Sequence, residues 1–206
     1  MPRPGAIICV CRKKHMWGQK NMHKIILMMG GQGVGKGTLS RMLGAGGDYK
    51  YIETGEMLRR VGQNTPVGRM IARGELIPDD EMFNMIAGQI ECGRNVIIDG
   101  FPRNMPQAQW LVEKYSDKFD VCVLYIAVSR DIMMARIQRR INAGAGRADD
   151  ADAAAVQRRL RTFFDVTMPA IEWMRTARGV RFYEIDGSGT IDENYDRMMT
   201  ALGKDD

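Results

Sequence analysis

The 206-residue chain is 45% hydrophobic, which suits one globular domain with small insertions, and no apolar run approaches the roughly 20 residues that span a bilayer. Its net charge of +5 argues against a basic nucleic-acid-binding globule, because residues 1–24 hold six unopposed cations (Arg3, Arg12, Lys13, Lys14, Lys20, Lys24) and leave the remainder at −1. Both histidines, His15 and His23, lie in that segment, and Cys9, Cys11, Cys92 and Cys122 form neither a disulfide framework nor a Cys-x-x-Cys knuckle, so any chemistry in the body must use lysine, arginine and carboxylates.

Residues 1–23 read as a basic extension ahead of the first predicted strand, with Met22 as an alternative start. Its apolar stretch "AIICVC" is too short for a secretory signal, and Pro2 removes the glycine that myristoylation needs. A cytoplasmic location is expected; organelle targeting or attachment to an anionic surface through residues 1–24 is the alternative. Residues 24–206 are expected to form a single domain. "KIILMM" (24–29) ends in glycines and reads as a strand buried on both faces, as do "VIID" (96–99), "VCVLYIAV" (121–128) and "VRFYEI" (180–185), with "YKYI" (49–52) a weaker fifth. Helical patterns separate them, so the expected class is α/β with a parallel sheet.

In the second half, residues 129–142 predict a helix capped by Ser129, with Met133, Ile137 and Ile141 on one face and Arg136, Arg139 and Arg140 on the neighbouring one. "AGAGRADD" (143–150) reads as a Gly/Ala hinge bearing Arg147. Residues 150–164 predict a further helix with acids in its first turn, whose apolar face is Val156, Leu160, Phe163 and Phe164; Arg159 flanks that face and Arg158 points nearly opposite. Pro169 marks the next expected boundary. The seventeen methionines, many within apolar runs, are expected to fill the core.

"GGQGVGKGT" (30–38) carries the densest chemical signal. A strand running into Gly-x-x-x-x-Gly-Lys, Gly30 to Lys36, is a phosphate-binding loop pattern: amides must approach phosphate oxygens closely, a Cβ would block them, and the following helix turns its free N–H groups toward the anion. Lys36 adds a point charge. A glycine-rich turn that binds nothing is the alternative, disfavoured by the buried strand and the lysine together.

Gly37 stands where the common loop has Ser or Thr, and the hydroxyl moves to Thr38. This Gly-Lys-Gly-Thr order resembles the nucleoside monophosphate kinases, especially short-lid adenylate kinases, whose loop runs Gly-x-Pro-Gly-x-Gly-Lys-Gly-Thr; Gln32 replaces the proline. The resemblance covers most of residues 24–195. It implies a P-loop NTPase-type five-stranded parallel sheet flanked by helices, with an NMP-binding segment at about 53–84 and a short lid at about 140–152. On the ATP side it implies Gly31, Gln32, Gly33, Val34, Gly35, Lys36, Gly37 and Thr38, with Arg136, Arg140 and Gly189. From "ETGEML-R" (53–59), "GELIPD" (74–79) and "DGFPRNMPQ" (99–107) it implies an AMP site of Thr54, Gly55, Arg59, Glu75, Leu76, Ile77, Gly100, Arg103 and Gln107, completed by Arg147 and Arg159. The residues expected to act in catalysis are Lys36, Arg103, Arg140, Arg147 and Arg159.

Asp99 ends a predicted strand and is expected to order the water shell of Mg²⁺; a helix cap or turn is the bland alternative for such an aspartate. The chain departs from the short-lid pattern by one extra residue between Arg140 and Arg147, by Ile141 in place of glycine, and by one residue inserted before Arg159. No zinc is expected, since the lid lacks four cysteines. The implied reaction is Mg·ATP + AMP ⇌ 2 ADP in a monomer, by direct transfer with no covalent intermediate. The alternatives are a UMP/CMP kinase and, in another class, a non-catalytic adenine-nucleotide sensor; a GTPase is disfavoured by the missing Asn/Thr-Lys-x-Asp motif.

Overall fold

The five apolar runs form five strands, and all of them pair in parallel. In the computed structural model, which describes residues 22–61, 65–73, 75–90, 93–144 and 152–203, they are β1 (Lys24–Met29), β2 (Tyr49–Glu53), β3 (Asn95–Asp99), β4 (Asp120–Ala127) and β5 (Val180–Asp186). Their spatial order is β2-β3-β1-β4-β5. The three inner strands are almost wholly buried, Ile25 to Met28, Val96 to Ile98 and Val121 to Ile126, while β2 and β5 at the edges are half-exposed. This explains why "YKYI" reads as the weakest strand: an edge strand needs fewer apolar residues than one covered on both sides.

Helices α1 (Lys36–Ala45), α2 (Thr54–Arg59), α3 (Pro66–Ala72), α4 (Asp79–Ala87), α5 (Met105–Tyr115), α6 (Arg130–Asn142), α7 (Ala153–Thr162), α8 (Met168–Thr176) and α9 (Ile191–Leu202) complete the described chain. Because β1 crosses over β3 to reach β2 while β3 crosses over β1 to reach β4, right-handed connections put α1 and α5 on opposite faces of the sheet. Helix α1 packs with α9, and α5 with α8, giving helix layers on both sides. Several methionines do fill the core: Met28, Met82, Met133, Met174 and Met198 are buried. Helix α6 starts as expected, with Ser129 accepting from the Ile132 amide at 3.3 Å, and Asp152 caps α7 by accepting from the Ala154 amide at 2.8 Å.

Two expectations need correction. Pro169 does not end the helical run, because residues Phe163–Thr167 form a π-helical segment that leads directly into α8, and Pro169, which lacks an N–H, stands two residues past the wider turn. Phe164 does not share the apolar face; it is 36% exposed, while Val156, Leu160 and Phe163 are buried. The wider π turn rotates residues after Phe163 away from the position a 3.6-residue wheel assigns.

The parallel order also decides where chemistry can gather. All five strands deliver their carboxyl ends to one edge, and the loop after β1 lies where connections leave in opposite directions, the usual ligand crevice of such sheets.

Candidate active site

Residues 30–35 form the turn between β1 and α1. Gly35 is the N-cap of α1 with φ +94, a left-handed conformation that a side chain disfavours, and its carbonyl accepts from the Thr38 and Leu39 amides at 3.0 Å. The loop lies against the second half of the molecule. A Cβ on Gly31 would collide with Met133 Sδ, and one on Gly33 would come within 3.0 Å of the Met133 carbonyl oxygen. Lys36 arches back over the loop, its Nζ donating to the carbonyls of Gly30 and Gly31, both at 2.6 Å. The loop therefore holds its ammonium beside the glycine amides. Val34 is buried in the core and Thr38 is exposed at the first turn of α1.

At the end of β3 the structure draws together residues from three sequence motifs. Gly100 has φ +90, and a Cβ there would stand 2.5 Å from Thr54 Oγ1 and 3.0 Å from Arg103 Nη2. Thr54, buried, donates from Oγ1 to the Asp99 carbonyl at 3.0 Å. Arg103 Nε donates to the Gly100 carbonyl at 2.7 Å, and its own carbonyl accepts from Thr167 Oγ1 at 2.8 Å. Gln107 is buried: Oε1 accepts from the Arg103 amide at 2.7 Å and Nε2 donates to Asp79 Oδ1 at 2.8 Å. Gly55 lies in the first turn of α2. Ile77 is buried in the core, Leu76 is half-buried, and Glu75 is exposed and paired with Arg73 at 2.7 Å, which holds its carboxyl below the usual range.

Asp99 is buried too. Its Oδ2 lies where a Cβ on Gly37 would be 3.5 Å away, so the carboxylate faces the first turn of α1. Tyr51 Oη stands 3.3 Å from both Asp99 Oδ2 and Glu53 Oε2, and Arg41 Nη1 is 3.7 Å from the same Glu53 oxygen. Burial, and then the negative charges of Asp99 and Glu53, push the Tyr51 phenol well above its ordinary pKa.

The other expected residues divide. Arg136 on α6 donates from Nη2 to the carbonyls of Ser188 at 3.2 Å and Gly189 at 2.9 Å, joining two residues expected on the ATP side. Arg140 and Arg159 sit on α6 and α7, each with its Nε turned inward. Arg158, exposed on α7, donates instead to the Arg73 carbonyl at 3.1 Å. Arg147 and the Arg59 side chain lie outside the described residues, as do Gly74 and most of the 143–150 hinge.

Sequence reasoning missed four supporting side chains: Asp79, Tyr51, Glu53 and Asn194. Asn194, buried, donates from Nδ2 to the carbonyls of Gly187 at 3.1 Å and Gly189 at 3.2 Å and so shapes the turn after β5. A polar residue inside the amphipathic pattern of α9 was its only signal.

The family model for adenylate kinase matches residues 28–178, which spans every cluster above up to β5. The chain belongs to the adenylate kinase family. Curated adenylate kinases resemble it along nearly their whole length: that of Parvibaculum lavamentivorans is 35% identical over 190 residues, covering 86% of this chain and 91% of its own. That of Thermus thermophilus is 36% identical over 185 residues, covering 86% and 96%, and that of Xanthomonas euvesicatoria 34% over 190 residues, covering 87% and 99%. An adenylate kinase family assignment agrees with the all-parallel sheet and with the loop at the end of its central strand. No helix among the described residues of this family member is long and apolar enough to cross a membrane.

Proposed function

We propose that the protein transfers the terminal phosphoryl group of Mg·ATP to AMP, giving two ADP. The observation that carries this reading is that the Lys36 loop and the Thr54–Gly100–Arg103 cluster open on the same edge of the sheet, from adjacent strands β1 and β3. An oxygen of the AMP phosphate attacks the γ-phosphorus as the bond to the β-phosphate bridging oxygen breaks, and ADP leaves. The second phosphate pKa is about 6, so the attacking oxygen is largely ionised at neutrality and needs no side-chain base.

Two polyanions must then be aligned against their repulsion. Lys36 and the amides of Gly31 to Thr38 receive the donor phosphates, Arg136 and Gly189 border the donor base, and Arg59, Arg103 and Gln107, with the backbone of Glu75 to Ile77, receive AMP. Arg140, Arg147 and Arg159 bring charge to the transferring group. The segments at about 53–84 and 140–152 act as flaps that exclude water, and unchanged hydrogen exchange in both on adding a two-headed ATP–AMP analogue would contradict that closure.

The donor set also fits magnesium. Among the described residues no three His, Cys, Asp or Glu side chains form a cage, but buried Asp99 faces the start of α1 with a carboxylate oxygen. This suits a hard cation held through its own waters and substrate phosphate. When bound, magnesium would neutralise phosphate charge.

The test is ADP production by the full chain with Mg·ATP and AMP, UMP or CMP in turn. AMP is expected to be the preferred acceptor, and faster turnover with UMP or CMP would replace this reading by the UMP/CMP one. Lys36→Met is expected to lower kcat about a thousandfold while leaving the thermal midpoint within a few degrees. A wild-type chain that binds both nucleotides without turnover would be a sensor instead.

A further inference from the structure

Gln32 is the third residue of the phosphate loop that begins at Gly30, and its side chain reaches across 124 residues of sequence to donate from Nε2 to the Val156 carbonyl at 3.1 Å. Val156 is in the first turn and a half of α7, the helix that carries Arg159 three residues later. The amide's other end, Oε1, is buried without a hydrogen-bond partner among the described residues. Such an amide is held by one directed bond, and its removal would release the contact rather than shift it elsewhere. The neighbouring glycines meet the same region through apolar contacts: a Cβ on Gly31 would come within 3.3 Å of the Phe163 ring, and one on Gly33 within 3.2 Å of Ile137. Apolar contacts let helices slide; a hydrogen bond to one carbonyl sets register.

We propose that Gln32 is a positioning residue that sets α7, and through it Arg159, relative to the phosphate loop. This rests on the kinase reading above. Gln32 touches α7 rather than the reacting atoms, and the glycine amides and Lys36 remain when it is removed. The bond therefore acts on the alignment of Arg159 with the transferring group more than on retention of ATP.

Four measurements on the full chain test this. Gln32→Ala is expected to lower kcat about fivefold, the scale of one hydrogen bond, with KM for ATP within about twofold of wild type. Gln32→Glu keeps the size but turns a carboxylate oxygen toward the Val156 carbonyl, and is expected to lose at least as much. In an Arg159→Ala background, Gln32→Ala is expected to add less than about a twofold further loss, because the residue it positions is gone. Independently of turnover, amide hydrogen exchange in the 153–162 peptide is expected to be faster in Gln32→Ala than in wild type. Losses that multiply in the double variant, an ATP KM change exceeding the kcat change, or unaltered exchange in 153–162 would each overturn the assignment. A wild-type chain without phosphoryl transfer would sink the kinase reading alone, since the exchange comparison still decides the tether.

Discussion

Gln107 Nε2 donates to Asp79 Oδ1 at 2.8 Å, and the same carboxylate oxygen accepts from Asn104 Nδ2 at 2.8 Å. One oxygen at the start of α4 thus orients both the residue expected to read the acceptor base and the N-cap of α5, whose Oδ1 accepts from the Gln107 amide at 2.9 Å. Asp79→Ala is expected to raise KM for AMP about tenfold while changing KM for ATP less than twofold, and to cost about 1–2 kcal/mol in urea unfolding. Gln107→Ala is likewise expected to weaken AMP binding far more than ATP binding. Equal losses for the two nucleotides, measured by titration calorimetry, would refute the role of this pair.

Arg136 bonds two successive carbonyls, Ser188 and Gly189, through a single Nη2. A lysine carries the charge, but its shorter, unbranched stem does not carry a nitrogen to the position of Nη2. Arg136→Lys is expected to raise KM for ATP about fivefold with AMP little affected, as steady-state kinetics with each substrate varied in turn would register.

Gly100 and Gly144 both have positive φ, +90 and +67, but only Gly100 is crowded. Among the described residues a methyl at Gly144 meets nothing within 4 Å, whereas one at Gly100 comes within 2.5 Å of Thr54 Oγ1. Gly144→Ala is expected to cost about 1 kcal/mol from backbone strain alone, and Gly100→Ala about 2–4 kcal/mol together with lost activity. Equal unfolding midpoints for the two variants would contradict the packing described at Thr54 and Arg103.

Tyr51 gives a pH dependence whose sign can be worked out. Burial and the carboxylates of Asp99 and Glu53 raise its pKa in the folded chain, and burial raises Tyr115 and Tyr125 as well. The unfolded chain releases these protons near pH 10, earlier than the folded one, so their contribution is fully present below pH 10 and declines as pH rises beyond it. Thermal midpoints followed from pH 9 to 11.5 are expected to fall more gently for Tyr51→Phe than for wild type.

The strands, the phosphate loop and the cap of α6 were legible in the sequence because each depends on residues a few positions apart, whereas the acids expected inside the first turn of α7 precede it, with Asp152 as its cap. An apolar run of six residues can be buried on both faces, a serine can reach the amide three residues on, and glycine can take a positive φ wherever it stands. Helical periodicity likewise placed Arg158 away from the buried face of α7. It misled at Phe164 and Pro169 because a π turn leaves no periodic trace in so short a stretch.

Composition and local pattern by themselves determined an α/β chain with a histidine-poor body, a phosphate loop, and arginines suited to polyanions. Only the tertiary structure decided which side chains support them: Asp79 under Gln107, Tyr51 and Glu53 beside Asp99, Asn194 under Gly189, and Gln32 on Val156. The physical reason is that a hydrogen bond is set by the position of two atoms in space. Partners 28 or 124 residues apart meet only because five parallel strands end on one edge and bring their loops together.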